Sequence, residues 1–387
     1  MDFDWINAHL GDDTSALRLK FGKEHADDIL QIEMRRKHAS KFSETLKNNP
    51  RFIFPTSLAA EQSTSDLLAL YHASLLKPGC TVADLTSGMG IDAMAFSGVA
   101  ARVVAVERDP VIADSLRANA RSLSNLTVVN DDCRNFLKSC CRFDVMFIDP
   151  ARRNASGGRV YALADCEPDV VDLLPAVRQK SSSLIVKASP MLDITHSVGE
   201  LAPYVARVIT LGTTTECKEL DLICDFNRST ANEPLIQAVT LAPGFISEFS
   251  FYPSREAAAK ARFGVPVEGN FIFDPFPAVM KAAPFRLLGE KFNLEKLGSN
   301  THLWFADRPV EDFPGTVWRV VEVLPFMSKH IKRYASRFPK VSVTARNFDI
   351  SSDALRSKLK VSDGPLRLFA VNAFDGRKLL ITCERYE

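Results

Sequence analysis

No stretch of this 387-residue sequence holds the run of apolar residues that a membrane-spanning helix requires, which is ~20. The acidic start, MDFDWINAHLGDD, lacks the apolar core of a secretory leader. Charge of one sign is missing too. The 48 Lys and Arg meet 47 Asp and Glu, for a net charge of +1. Bulk charge therefore draws the chain to neither nucleic acid nor membrane, and any such contact must come from a local patch. The eight cysteines (Cys80, Cys133, Cys140, Cys141, Cys166, Cys217, Cys224 and Cys383) form no CxxC pair and no metal-ligand spacing. That argues against a disulfide scaffold and a zinc ribbon, and for reduced thiols in a cytoplasmic protein, most of them small core residues. No repeat or low-complexity tract interrupts the chain. What remains is ordinary globular composition, 46% hydrophobic and 25% charged, in a chain long enough for two to three domains.

Residues 1–55 are rich in helix formers, and Pro50 and Pro55 bracket RFIF as an entry into something new. From 56 to 242 helices alternate with short apolar strands. SLAAEQSTSDLLALYHASLL reads as one helix, CTVADL as a buried strand, RVVAVE as a second, LTVVN as a third, FDVMFID as a fourth and SLIVKAS as a fifth. Asp109 precedes Pro110 as a helix cap. Alternation at this spacing predicts an α/β fold with a doubly wound, mainly parallel sheet. The strand-rich end (YVARVITLG, ELDLICDF, PLIQAVTL) adds an antiparallel strand at one edge. APGFISEFSFYPSREAAAKARFGVP then reads as aromatic loop. After a break at FPGT, residues 317–387 read as a small α+β domain with one helix, SSDALRSKLK.

The most informative stretch is Ala83-Asp84-Leu85-Thr86-Ser87-Gly88-Met89-Gly90-Ile91-Asp92, where the first strand meets a helix. Glycines there let a ligand approach the backbone, and a helix start offers unpaired N–H groups. Gly88 to Ala93 also fits the G-x-G-x-x-G/A pattern of dinucleotide sites. Three acids shift the balance. Asp84 ends the first strand, where a carboxylate would repel a pyrophosphate but can hold an ammonium. Glu107 ends the second strand, where an acid can accept two ribose hydroxyls. Asn130-Asp131-Asp132-Cys133 ends the third, within reach of an adenine amine. An adenosine with an amino-acid tail fits all three.

Residues 82–150 resemble a class I S-adenosylmethionine-dependent methyltransferase. The resemblance puts the glycine motif on Asp84 to Gly90, with Thr86 and Gly88 in it, the ribose acid on Glu107, the adenine-side acid on Asp132 and the catalytic motif on Asp149-Pro150. Glu61-Gln62-Ser63-Thr64 is similar to a stretch that contacts the methionine end of the cofactor in many RNA methyltransferases, which puts Gln62 there. Beyond that fold, FPTSLAAEQSTS, ADLTSGMGIDA, FIDPARR, DCEPDV, KASPMLDI, ECKEL and RNFDISSDALRSKLKVSDG resemble, nearly end to end, a bacterial family. Its members carry an N-terminal helical segment, a methyltransferase domain, a small ferredoxin-like insert and a THUMP-like C-terminal domain. The resemblance implies a seven-stranded methyltransferase sheet. It also implies four segments: helical 1–55, methyltransferase 56–242, ferredoxin-like α+β 243–315 and THUMP-like RNA-docking 316–387.

Asp149-Pro150-Ala151-Arg152-Arg153 ends the fourth strand, beside the expected methyl group. Methyltransferases of exocyclic amines show Asp/Asn-Pro-Pro-aromatic there, whereas Ala151 and Arg152 stand in the last two places. RNA 5-methyluridine enzymes share the Asp-Pro-Ala-Arg form but need a cysteine after the fifth strand, where this chain has Ala188; covalent activation by that route is not expected. Ribose 2′-hydroxyl methylation uses an Asp, a Lys and a Glu, and Asp149, Lys187 and Glu219 occupy such positions. Lys187 either deprotonates or orients a hydroxyl, or pairs with Asp149 or a substrate phosphate. In each version Asp149 touches the acceptor, with Lys187 and Arg152 as assistants. Arg152, Arg153 and Arg159 flank Gly157-Gly158 in a loop that can grip phosphates.

Residues 328–360 carry nine Lys/Arg against Asp349 and Asp353, a local excess of seven, with Tyr334, Phe338 and Phe348 interleaved. Cations that track phosphates beside aromatics that stack bases suit an RNA-binding module, with Lys332, Arg333 and Arg346 among the contacts. The THUMP-like resemblance implies structured RNA, tRNA or rRNA. The expectation is thus a cytoplasmic RNA methyltransferase that uses S-adenosyl-L-methionine and neither metal nor membrane. The alternatives are a non-catalytic RNA-binding protein that keeps the cofactor pocket, and a methyltransferase of a small molecule or protein.

Overall fold

The computed structural model describes residues 1–152, 162–228 and 232–386, with Arg152 through its backbone alone. The chain divides into two compact units, Met1–Val208 with Leu220–Asn232, and Ile209–Glu219 with Glu233–Glu387. Among the described residues no helix is long and apolar enough to cross a membrane.

The first unit opens with four helices, α1 (Phe3–Ala8), α2 (Thr14–Phe21), α3 (Ala26–Lys37) and α4 (Ser43–Asn48). Phe52 and Phe54 follow, essentially inaccessible to solvent, and pack with Met34, Phe42, Met89 and Ile91 in one core. Each buried phenylalanine stabilises that packing by roughly 1.5–3 kcal/mol, so the N-terminal helices are tied to the glycine-rich turn. The expected single helix after Pro55 is two helices, α5 (Ser57–Gln62) and α6 (Asp66–Ser74). Ser63 and Ser65 are extended, with ψ of 153° and 157°. The Ser63-Thr64-Ser65 run explains the break, because short hydroxyl side chains compete with helical hydrogen bonds.

The sheet of this unit contains β1 (Thr81–Asp84), β2 (Arg102–Glu107), β3 (Leu126–Asn130), β4 (Phe143–Ile148), β5 (Ser181–Ala188), β6 (Val205–Gly212) and β7 (Cys217–Asp225), the last two through part of their length. Their order is β6-β7-β5-β4-β1-β2-β3. The β1–β2, β1–β4, β2–β3 and β4–β5 pairs are parallel, and β7 runs antiparallel to β5. The sheet is mainly parallel as expected, but with two further strands it counts nine rather than the expected seven. Helices α7 (Ile91–Ser97), α8 (Pro110–Asn119), α9 (Cys133–Ser139), α10 (Val170–Lys180) and α11 (Ile194–Glu200) connect the strands. Asp109 caps α8 by accepting from the Val111 and Ile112 N–H groups, with Pro110 at its first position. Val82, Val103, Ala105, Phe147 and Ile185 are buried with Phe96 and Leu116, which explains the unbroken apolar runs of these strands.

In the second unit, β8 (Leu235–Ala242) and β9 (Phe245–Phe251) form an antiparallel hairpin around Gly244, whose φ is +72°. The stretch expected as aromatic loop therefore holds a strand and a helix, α12 (Pro253–Ala258). Cross-strand pairing decided it: Phe249 and Phe251 are buried while Phe245 and Ser250 are exposed, the alternation of a half-buried strand. A seven-stranded sheet follows, built from β10 (Phe271–Pro275), β11 (Glu295–Lys296), β12 (Trp304–Ala306), β13 (Gly315–Pro325), β14 (Lys340–Arg346), β15 (Ser362–Asn372) and β16 (Lys378–Arg385), in the order β11-β12-β10-β13-β16-β15-β14. Helices α13 (Pro277–Ala282), α14 (Leu287–Lys291), α15 (Ser328–Arg337) and α16 (Ser352–Leu359) complete the unit. Sequence reading missed α15, although Ile331, Tyr334, Ala335 and Phe338 recur at helical spacing. Those four pack against one core with Leu355 and Leu359 of α16.

Candidate functional site

The turn after β1 is built by two left-handed glycines. Gly88 has φ +53° and Gly90 φ +82°. A Cβ on Gly90 would lie 2.0 Å from Leu116 Cδ1, so on top of its left-handed backbone any larger residue would have to displace that leucine. Among the described residues beyond its chain neighbours, no atom lies within 4 Å of where a Cβ on Gly88 would sit. The floor of the turn is therefore open on the side where a ligand would approach.

Two carboxylates of different character border that opening. Glu107, buried at the end of β2, accepts from the Gly88 N–H at 2.8 Å through Oε2 and from the Asp109 N–H at 2.8 Å through Oε1. Both oxygens are thereby fixed in direction, and each keeps a second lone pair for a hydroxyl donor. Asp84 is 1% exposed, and its Oδ1 accepts from the Thr86 N–H at 3.2 Å. Burial, and then the negative charges of Asp92 and Asp149, push its pKa up to about 8. Among the described residues no cation pairs with it. The other cofactor-side residues are also located. Thr86 Oγ1 accepts from the Asp149 N–H at 2.7 Å and so ties β1 to the end of β4. Asp132 caps α9 by accepting from the Arg134 N–H at 2.8 Å. Arg134 pairs with Glu167 at 3.0 Å. Gln62 is exposed at the end of α5, and Thr64, two residues on, is buried.

At the end of β4, Asp149 Oδ2 accepts from the Lys187 ammonium. Lys187 reaches it from β5, where it is 8% exposed. The lysine thus pairs with Asp149, one of the two roles the sequence left open for it. Lys187 also donates to Thr64 Oγ1 at 2.9 Å. Behind Thr64 lie Asp92, to whose Oδ2 the threonine donates, and His72, whose Nδ1 is 2.7 Å from Asp92 Oδ1. The sequence placed Thr64 only within the cofactor-side stretch Glu61-Gln62-Ser63-Thr64 and gave no role to His72 or Asp92. Glu219 is buried on β7, two residues before Asp221. Arg153 and Arg159 lie outside the described residues, and the Arg152 side chain is likewise not described.

The crystal structure of a candidate methyltransferase from Porphyromonas gingivalis W83 matches with a TM-score of 0.90 at 26% identity, covering 100% of this chain and 97% of that one. A THUMP domain-like family matches residues 315–385, and a ferredoxin-like domain family matches residues 271–314. By fold this chain is a methyltransferase, with a THUMP-like domain at its C-terminal end. Two further structures match over less than half of this chain. TrmN from Thermus thermophilus has a TM-score of 0.34 at 15% identity, covering 43% of this chain and 51% of that one. SMU.1697c from Streptococcus mutans, solved with S-adenosylhomocysteine, has a TM-score of 0.30 at 10% identity, covering 41% and 97%. No curated protein matches the sequence.

In the THUMP-like part of this methyltransferase, the basic run divides into two kinds of cation. Arg337 pairs with Glu322, Arg356 with Asp353 and Asp363, and Arg346 with Asp274 at 3.0 Å. Lys329, Lys332 and Arg333 are exposed on α15, and Lys340, Lys358 and Lys360 are exposed nearby in sequence. Arg346 is thus less a surface contact than the sequence suggested. With Asp274, Phe276, Met280 and Thr316 it lines a cavity of about 330 Å³ in the second unit. The aromatics expected to stack on bases are engaged elsewhere. Tyr334 is 1% exposed and its hydroxyl bonds Thr382 Oγ1 at 2.6 Å, while Phe338 and Phe348 pack against the same core. Fully buried as it is, Tyr334 cannot also swing out to meet a base.

Proposed function

We propose that this protein transfers a methyl group from S-adenosylmethionine to structured RNA, with Asp149 positioning the acceptor. The observation that carries the reading is the pair of carboxylates around the open floor at Gly88. Asp84 is buried with Asp92 and Asp149 near it and, among the described residues, no cation paired to it, which suits the ammonium of an amino-acid tail. Glu107 offers two fixed oxygens, which suits the neighbouring hydroxyls of a ribose. A pyrophosphate carrier would add negative charge beside Asp84 and Asp149, at a cost that rises as water is excluded. When bound, S-adenosylmethionine supplies an electrophilic methyl group on a sulfonium.

The chain's own residues do the rest. Asp84 and Glu107 fix the two ends of the cofactor, with Thr86, Gly88 and Gly90 shaping the turn and Asp132 on the adenine side. Asp149, anchored through its N–H by Thr86 and through its carboxylate by Lys187, accepts a hydrogen bond from the acceptor group and aligns its lone pair with the methyl carbon. Catalysis is then mostly alignment, which is worth several kcal/mol of barrier when two reactants are held in line. Arg152 and Arg153 are assigned to the substrate's phosphates. RNA docks on the second unit through the exposed cations Lys329, Lys332 and Arg333, whose side chains on α15 form no ion pair among the described residues. In this reading the helical segment 1–55 supports the catalytic domain 56–242, while segments 243–315 and 316–387 bring the substrate. Mass spectrometry of nucleosides from cells with and without this protein tests the proposal. A methylated nucleoside that disappears with the gene supports it, and an unchanged nucleoside inventory removes RNA as the substrate.

A further inference from the structure

The fifth strand, α6 with the turn before it, and the start of α7 bring four polar side chains into one buried chain beside the proposed acceptor position. Thr64 is 6% exposed, His72 0%, Asp92 8% and Lys187 8%. The direction of each hydrogen bond follows from chemistry. Burial opposes a charge on Asp92, but His72, Lys187 and Thr64 outweigh it and hold the carboxyl below its ordinary value. An ionised carboxylate only accepts. His72 must therefore present a proton on Nδ1, and Thr64 must donate its own proton to Asp92 Oδ2. With its proton committed, the threonine oxygen turns its lone pairs to Lys187, 2.9 Å away. Lys187 in turn donates to Asp149 Oδ2. At the far end, His72 Nε2 lies 3.6 Å from Asp221 Oδ2, and Asp221 is the residue paired with Lys187 across β5 and β7.

We propose that Thr64 is a positioning residue for methyl transfer: its hydroxyl, oriented by the Asp92–His72 pair, holds the Lys187 ammonium against Asp149 and so fixes the rotation of the acceptor-binding carboxylate. This rests on the methyltransferase reading above and extends it to three residues, Thr64, Asp92 and His72, that act through Lys187. It also gives a physical reason for the break between α5 and α6. A continuous helix would present position 64 with helical geometry, whereas the extended Ser63 and Ser65 turn Thr64 inward. Lysine has long rotatable arms and three donors, so without the threonine oxygen its ammonium loses one anchor and Asp149 loses a fixed partner.

The test compares Thr64→Val, which keeps shape and removes the hydroxyl, with Thr64→Ser, which keeps the hydroxyl. With tritiated S-adenosylmethionine and total RNA from a strain lacking the protein, Thr64→Val should lower kcat by roughly 10- to 100-fold. KM for RNA and affinity for S-adenosylhomocysteine should stay unchanged, and Thr64→Ser should recover most of the rate. A second readout needs no turnover. In ¹⁵N-lysine-labelled protein, the buried Lys187 ammonium should give an exchange-protected signal, assigned by its disappearance in Lys187→Gln. That signal should be lost in Thr64→Val and kept in Thr64→Ser. Wild-type protein that methylates no RNA would defeat the functional reading, and the lysine signal would still decide the positioning claim. A Thr64→Val protein with the protected signal intact, or with wild-type kcat where RNA is methylated, overturns it.

Discussion

Lys187 and Lys332 are the same residue type in opposite surroundings. Lys187 is buried and bonded to Thr64 and Asp149 in a chain of polar and charged side chains. Lys332 stands in solvent on α15 beside Lys329 and Arg333. Inside the first unit, charge acts over one hydrogen bond and sets geometry. On the second unit it acts at a distance and is screened by salt, with a Debye length of about 8 Å at physiological ionic strength. A substitution in the first setting should change rate or affinity steeply and insensitively to salt. In the second it should change affinity gently and in a salt-dependent way.

The sharpest break of this comparison is at Asp149. Asp149→Ala should leave S-adenosylhomocysteine affinity intact and lower methyl transfer by roughly 100-fold or more, as loss of a positioned acid or base does; single-turnover rates with labelled cofactor check it. Next is Glu107→Ala, which removes two fixed acceptor oxygens and the partner of the Gly88 N–H. Charge-assisted hydrogen bonds contribute about 1.5–3 kcal/mol each, so affinity for S-adenosylhomocysteine should fall roughly 100-fold or more by calorimetry.

A smaller effect follows from Asp84. With its pKa raised to about 8, the carboxyl is neutral below that pH and charged above it. Affinity for a ligand bearing an ammonium should rise by up to about tenfold per pH unit towards pH 8 and then level off. The cofactor-free fold behaves in the opposite sense. Its Asp84 holds a proton that the unfolded chain, with an ordinary value near ~4, has released. Stability therefore falls as pH rises through the window between those values. Asp84→Asn should abolish that fall, leaving a protein more heat-stable than wild type at pH 8 yet weaker in cofactor binding.

On the exposed side, Lys332→Ala with Arg333→Ala should weaken RNA binding across sequences. It should reduce the slope of log affinity against log salt by about 0.7–0.9 for each phosphate that these cations no longer neutralise. Arg346→Ala sharpens the contrast within the same basic run. It leaves a largely buried Asp274 without its partner, so it should destabilise the fold by about 1–3 kcal/mol in denaturant melts and leave the salt slope unchanged.

The strand-end acids were legible because each is local. Asp84, Glu107 and Asp149 follow apolar runs whose burial fixes where the strand stops, and Gly88 and Gly90 mark a turn by themselves. The chain through Thr64 was not legible. Lys187 and Thr64 are 123 residues apart, and nothing local distinguishes Asp92 from any acid in the first turn of a helix. The one available hint was the Ser63-Thr64-Ser65 run, an interruption in what otherwise reads as a helix. The basic run misled in part for the same reason. Composition shows that Arg346 is a cation but not that Asp274 lies opposite it, and it shows that Tyr334 and Phe348 are aromatic but not that both are spent on the core. Helix α15 was legible in its apolar spacing, yet its many lysines and arginines masked the pattern.

The central claim is that the cleft at the ends of β1 and β2 is shaped for an adenosyl amino acid. A crystal grown with S-adenosylhomocysteine tests it most directly. The ribose hydroxyls should lie within hydrogen-bond distance of both Glu107 oxygens, with the amino group at Asp84 and the sulfur facing Asp149. A well-diffracting crystal in which that cleft holds no ligand, or in which the ligand sits elsewhere, would contradict the account.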